Sequence, residues 1–346
     1  MTEANREAAA YHALAEYFGS SYARLTAARR AKKSWQAALA AENLGGHLTG
    51  SYPALTTNNI RLMLADDSAF PPLLRELPQP PHGIYVKGTL PIDKQTIAIV
   101  GTRKATVEGR TMAREFARTF ARAGVTVVSG LAFGIDAAAH LGALEAHGRT
   151  VAVLACGVDT PYPVSHTNLA RRITKESGAL VSEYPPGSPP LPYRFLERNR
   201  LVAGLSLGVV VIEAPNASGS LVTARLAAEA GRSVFVLPGP ARHPNFVGSH
   251  ALIRDGAELA TCPEEVLESL GLVPLKELRD AARAATTPED GSAAEIIAVL
   301  RGSTSPVSID TIIERTGLTV PEATRTLTTL ILEDAVRETN AGYVLA

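Results

Sequence analysis

Between residues 84 and about 270, short unbroken apolar runs alternate with longer amphipathic stretches. The runs cover 96–100, 125–129, 151–155, 209–212 and 234–236, and helix-like segments such as 110–123 and 221–230 lie between them. A strand that is apolar at every position is buried on both faces, and the intervening helices supply the cover. The pattern therefore predicts an α/β domain on a mostly parallel sheet. In such sheets ligands sit at the carboxyl ends of the strands, near the point where strand order reverses.

The flanks differ. Residues 1 to about 65 read as short helices, with Leu14, Tyr17 and Phe18 at helical spacing. They include the basic run Arg29-Arg30-Ala31-Lys32-Lys33 beside the lone tryptophan, Trp35, read as a solvated basic helix face rather than a nucleic-acid contact. A Pro-rich connector follows at 70–81, and a charged Ala/Thr-rich stretch at 275–291 reads as a linker. The last segment predicts helices near 293–300, 309–315 and 320–332 and a two-stranded wing at 335–344, a winged-helix pattern. The expected plan is a helical, SAM-like module at 1–68, the α/β domain at 69–272, a linker at 273–291 and a winged helix at 292–346.

Formal charge is zero, with 34 basic and 34 acidic residues, so nucleic-acid binding would need a local patch. The two cysteines, Cys156 and Cys262, are far apart and make no metal-like pair, which fits a reducing compartment. No apolar run approaches a membrane span and the first residues lack a signal-peptide pattern, so a cytoplasmic location is expected.

Three strand ends carry chemistry. The first run ends in Gly101-Thr102-Arg103, without the Gly-x-Gly-x-x-Gly or P-loop pattern of nucleotide cradles. Arg103 is either a phosphate contact or an ordinary surface arginine. Arg110, Arg114, Arg118 and Arg122 then recur every four residues on one helix face, which solvent accounts for. The second run ends in Ser129-Gly130, followed by Gly134, Asp136 and His140. There Asp136 is expected as a helix N-cap with His140 bonding to it, rather than as a catalytic pair, since no nucleophile elbow accompanies them. Cys156 is expected as a small buried residue. Third, Phe195-Leu196-Glu197-Arg198-Asn199-Arg200 precedes an apolar run, 201–212, read as strand-like, and Ser218-Gly219-Ser220 opens a helix. Arginine forks suit phosphate oxygens, and a Ser/Gly turn at a helix amino end is an anion site. Together they predict a polyanion holder with no nucleophile.

These motifs resemble the DprA/Smf family of DNA-processing proteins. The resemblance rests on Gly101-Thr102-Arg103, Ser129-Gly130 through His140, Ser182 through Gly187, Phe195 through Arg200, Glu213 through Ala224, Pro238-Gly239 and Leu252 through Ala257, in family order over roughly 70–270. It implies an extended Rossmann-like central domain and a non-enzymatic, cytoplasmic recombination mediator. Such a protein binds single-stranded DNA, protects it and loads RecA recombinase onto it during natural transformation. By motif position the DNA contacts would be Gly101, Thr102, Arg103, Gly130, Phe195, Arg198, Asn199, Arg200, Ser218, Gly219 and Ser220. A homodimer would form through His250, Ile253 and Leu259. No cofactor or metal is implied.

The chain departs from the family at Leu196, where a proline is usual. The winged-helix segment carries Arg301, Arg315, Arg325 and Arg337 against seven acidic residues, a net of −3, which points to a protein contact rather than duplex reading. The alternative is a nucleoside-monophosphate phosphoribohydrolase of the related nucleotide-binding fold. Against it, Asn216-Ala217-Ser218-Gly219-Ser220 replaces that family's paired-glycine loop, with Glu229 as the nearby acid on the next helix.

Overall fold

A computed structural model describes residues 2–44, 52–90, 95–272, 292–303, 305–332, 335–339 and 342–345. They fall into two units, Met1–Leu275 and Lys276–Ala346. The linker expected at 273–291 lies outside the described residues.

The first unit is organised by one nine-stranded sheet: β1 (Ile60–Leu64), β2 (Gly83–Gly88), β3 (Thr96–Val100), β4 (Thr126–Ser129), β5 (Thr150–Val153), β6 (Ala179–Ser182), β7 (Gly208–Val211), β8 (Ser233–Val236) and β9 (Glu258–Leu259). Their order is β1-β2-β6-β5-β4-β3-β7-β8-β9. The seven strands from β6 to β9 pair in parallel, while β2 pairs antiparallel with β1 and β6. Every residue of β3, β4, β5, β6 and β7 is buried. Such strands need helices on both faces, which is why the apolar runs were continuous.

The N-terminal helices are α1 (Glu3–Tyr17), α2 (Tyr22–Ala31), α3 (Trp35–Ala41) and α4 (Tyr52–Thr57), and α5 (Pro72–Arg75) follows. The sheet is then wound by α6 (Val107–Arg122), α7 (Ile135–Glu145), α8 (Thr167–Lys175), α9 (Pro192–Gly204), α10 (Gly219–Glu229), α11 (Val247–Arg254) and α12 (Pro263–Ser269). From β3 the chain steps through β4, β5 and β6 on one side, then returns to place β7 and β8 on the other. The loops leaving β3 and β7 diverge there and open a crevice at their carboxyl ends.

Two readings change. Residues 60–64 form the edge strand β1 rather than helix, with the mixed burial of an edge. The apolar run 201–212 is split: its first residues finish α9, and the strand starts only at Gly208. Among the N-terminal helices Trp35 is only 3% exposed, in a cluster with Tyr11, Leu14 and Leu39, so its ring is a core group, with the Arg29 guanidinium of the basic run 5.7 Å from the ring centre.

The second unit has α13 (Ser292–Arg301), α14 (Ile309–Thr316) and α15 (Val320–Leu332), then the hairpin β10 (Val336–Thr339) and β11 (Gly342–Leu345). Ile296, Leu300, Ile312, Leu327 and Leu330 form its core. This is the winged helix. No helix among the described residues is long and apolar enough to cross a membrane.

Candidate functional site

A cavity of about 750 Å³ opens above the carboxyl ends of β3, β4 and β7, with α9 along one side. Its walls come from separate loops. After β3, the Thr102 amide donates to the Glu213 carbonyl at 2.8 Å, which fixes the Gly101-Thr102-Arg103 turn against the end of β7. Arg103 is exposed, and its guanidinium lies 5.2 Å from the centre of the Phe195 ring. Phe195 meets Tyr162, from the loop after β5, edge to face at 5.8 Å.

The loop after β4 forms the floor. The Asp136 carboxylate accepts from the Gly130 amide at 3.1 Å and the Ala132 amide at 3.3 Å. Arg198, from α9, donates to the Gly130 carbonyl at 2.7 Å and also to that of Val153. Gly130 is thus held at both ends, and a Cβ there would come within 2.5 Å of the guanidinium, so a side chain at this position would displace Arg198. Gly134 caps α7 with φ +77°, and a Cβ there would strike the Thr102 carbonyl at 2.3 Å. Arg198 and Asp136 are 5% and 6% exposed. Burial pushes the Asp136 carboxyl up, opposed by the Arg198 charge and the two amides. Burial pulls Arg198 down, opposed chiefly by Asp136. Each charge compensates the burial of the other.

The capping expectation for Asp136 changes accordingly. It is the second residue of α7, behind Gly134, and it binds the preceding loop. His140 turns from it to Thr150, Nδ1 to Oγ1 at 2.7 Å, and burial lowers its pKa to about 3. It is a neutral core histidine. Cys156 is buried as expected.

The third wall is the start of α10. Ser218 is its N-cap, accepts from the Ser220 amide at 3.3 Å, and its hydroxyl lies 2.7 Å from that of Ser220. Asn199 accepts from Arg198 Nε at 3.3 Å and donates to the Gly219 carbonyl at 3.3 Å, so it ties the floor to this turn. The dipole of this eleven-residue helix and the hydroxyls of Ser218 and Ser220 make the rim attractive to anions.

Gly101, Thr102, Arg103, Gly130, Phe195, Arg198, Asn199, Ser218, Gly219 and Ser220 therefore share one cavity, and Arg200 does not. Arg200 leaves α9 on another side, where its Nη2 donates to both oxygens of the buried Glu183 carboxylate and its Nη1 to the Gln79 carbonyl at 2.8 Å. Its guanidinium also lies 5.6 Å from the centre of the Tyr22 ring on α2. On a helix, residues two apart point about 200° from one another, so Arg198 and Arg200 leave α9 on nearly opposite sides. Tyr162 and Asp136 line the cavity without having been singled out as contacts. Their signal was their place just past strand ends. Glu229 is exposed at the far end of α10, outside the lining, so the acid on which a hydrolase reading leans is not in the cavity.

Away from the cavity, His250 Nε2 meets the Gly239 carbonyl at 3.1 Å, Ile253 packs partly buried against the core, and Leu259 is 47% exposed on the edge strand β9. Leu252 belongs to the core.

Residues 61–271 match the family described as DNA recombination-mediator protein A, and residues 280–342 match the DprA winged helix domain. The chain belongs to the DprA/Smf family. It is 42% identical to protein Smf of Escherichia coli over 83% of this chain and 77% of that one. It is 38% identical to the DNA processing protein DprA of Bacillus subtilis over 58% of this chain and 68% of that one. Among solved structures it is similar to DprA of Streptococcus pneumoniae, with TM-score 0.58 and 33% identity over 67% of this chain and 81% of that one. It is also similar to DNA processing protein A of Helicobacter pylori, described for its single-stranded DNA binding mode, with TM-score 0.53 and 30% identity over 61% of this chain and 95% of that one. Both share the fold of the sheet domain.

Proposed function

We propose that the chain binds single-stranded DNA in the cavity above β3, β4 and β7 and acts as a recombination mediator with no reaction of its own. The observation that carries this is Arg103, an exposed cation lying over the Phe195 ring in the cavity that the amino end of α10 also lines. The cation and the helix end attract phosphates, while the ring offers a face to a base, a pairing indifferent to sequence. In this reading Gly101, Thr102, Ser218, Gly219 and Ser220 contribute amides and hydroxyls. Gly130, Arg198 and Asn199 shape the floor. The single-strand binding described for the Helicobacter protein supports the reading.

The strand would be protected there and passed to RecA recombinase during natural transformation, in the cytoplasm. Leu259, exposed on an open sheet edge, supports a homodimer formed through His250, Ile253 and Leu259. The winged helix exposes Arg325 on α15 within a segment of net charge −3, which favours a protein partner over a duplex.

Fluorescence anisotropy with labelled oligo-dT tests the site. Wild type binds in a length- and salt-dependent way, and Arg103→Ala weakens binding to all sequences alike. Unchanged affinity in Arg103→Ala would remove the assignment, and base release from nucleoside monophosphates would restore the phosphoribohydrolase alternative.

A further inference from the structure

The cavity is chemically two-sided. Arg103, Asn216, Ser218 and Ser220 come from the loops after β3 and β7 and make one rim polar. The opposite side is apolar and left in water. Of the ten exposed large apolar side chains among the described residues, five lie on the loops after β4 and β5 and at the start of α9: Phe133, Tyr162, Val164, Tyr193 and Leu196. Tyr162 and Leu196 line the cavity itself.

Two of these rings are fixed rather than loose. Tyr162 is 43% exposed and packs edge to face against Phe195. Phe133 is 47% exposed and packs edge to face at 4.8 Å against His166, whose Nδ1 meets the Leu131 carbonyl at 2.9 Å. His166 ends the short turn that begins two residues after Tyr162. The two ring pairs thus share one segment: Tyr162 lies in the lining against Phe195, and Phe133 follows Ala132, which also lines the cavity. An edge-to-face pair leaves ring faces open for a flat partner. A ring already held in place loses little freedom when it stacks.

We propose that Tyr162 and Phe133 form a second base-stacking subsite. The bound strand then crosses the sheet from the rim above β3 and β7, which holds phosphates, to the rim above β4 and β5, which takes bases. This rests on the single-strand reading above. The occupant is the same strand, because the rings continue the wall that Phe195 begins.

The test compares oligo-dT with an abasic oligomer of equal length, for wild type, Tyr162→Ala, Phe133→Ala and Tyr162→Trp. Both alanine variants remove exposed side chains, so a thermal melt matching wild type is expected alongside. Each should weaken oligo-dT about 5-fold or more. On the abasic oligomer they should match wild type, and Tyr162→Trp should retain affinity for oligo-dT. Unchanged oligo-dT affinity in either alanine variant, or an equal loss on the abasic oligomer, would overturn the subsite. Those results leave the Arg103 dependence standing. Failure of wild type to bind oligo-dT, or indifference to Arg103→Ala, would instead remove the parent reading and the subsite with it.

Discussion

Replacing Arg198 with methionine isolates the charge beneath the cavity floor. Wild-type Arg198 is 5% exposed and donates to the carbonyls of Gly130 and Val153. Methionine keeps much of the bulk but leaves both carbonyls short of a donor and Asp136, 6% exposed, without its compensating charge. Removing one member of a buried charge pair costs about 3–5 kcal/mol, and we expect a loss of that order in urea unfolding at pH 7. The loss carries a pH signature. Burial already raises the Asp136 carboxyl above its ordinary 3.8, and removing Arg198 raises it further. A carboxyl whose folded value is raised is best tolerated below its unfolded value and loses stability as pH rises through the folded value. The penalty should therefore be larger at pH 7 than at pH 5. Asp136→Asn added to Arg198→Met should recover part of it, because the amide carries no charge. A loss below about 1 kcal/mol at pH 7, or no recovery in the double variant, would refute the pairing.

Arg200→Ala should also cost about 3 kcal/mol in unfolding by stranding the buried Glu183, yet leave the salt dependence of oligo-dT binding unchanged. A slope shallower by about 0.7 would make Arg200 a phosphate contact after all. His82 stacks on Tyr22 and meets Thr26 at 2.8 Å, and its pKa falls to about 4 through burial and the charges of Arg200 and Arg29. A histidine whose folded value is depressed holds its contribution above the unfolded 6.5 and loses it as pH falls toward 4. His82→Phe should therefore flatten the stability curve over that window, and an unaltered curve in urea titrations at stepped pH would contradict this. In the full chain, Arg325→Ala should leave duplex retention in gel shifts at moderate salt unchanged. A clear loss would make α15 a duplex reader.

Most of the buried strands showed in the sequence because a strand covered on both faces admits few polar side chains beyond hydroxyls that bond to backbone carbonyls, as those of Ser129 and Thr150 do; the short buried β6 was not among the runs. Edge strands escape that constraint. β1 mixes buried, half-buried and exposed positions without a clear period, and β9 is two exposed residues long, so neither stood out. The continuity that revealed β7 also misled, since Leu201 and Val202 are core residues of a helix separated from the strand by only three residues, whose one polar member, Ser206, is itself buried. The cavity's residues were legible because motifs at successive strand ends converge in any parallel sheet. Their division of labour was not. Asp136 beneath Arg198, and Glu183 beside Arg200, are partners far apart in sequence, and only the fold shows which arginine is buried, which is latched elsewhere and which is free. Arg103 is the exposed one, over Phe195 in the cavity, and it is therefore the one proposed above as a phosphate contact.

The most direct measurement is the slope of log affinity for oligo-dT against log salt concentration, for wild type and Arg103→Ala. Each single-strand phosphate that the protein neutralises releases condensed counterions and contributes about 0.7 to that slope. The account predicts weaker binding by Arg103→Ala with a slope shallower by about that amount. Equal affinity and equal slope in the two proteins would contradict it.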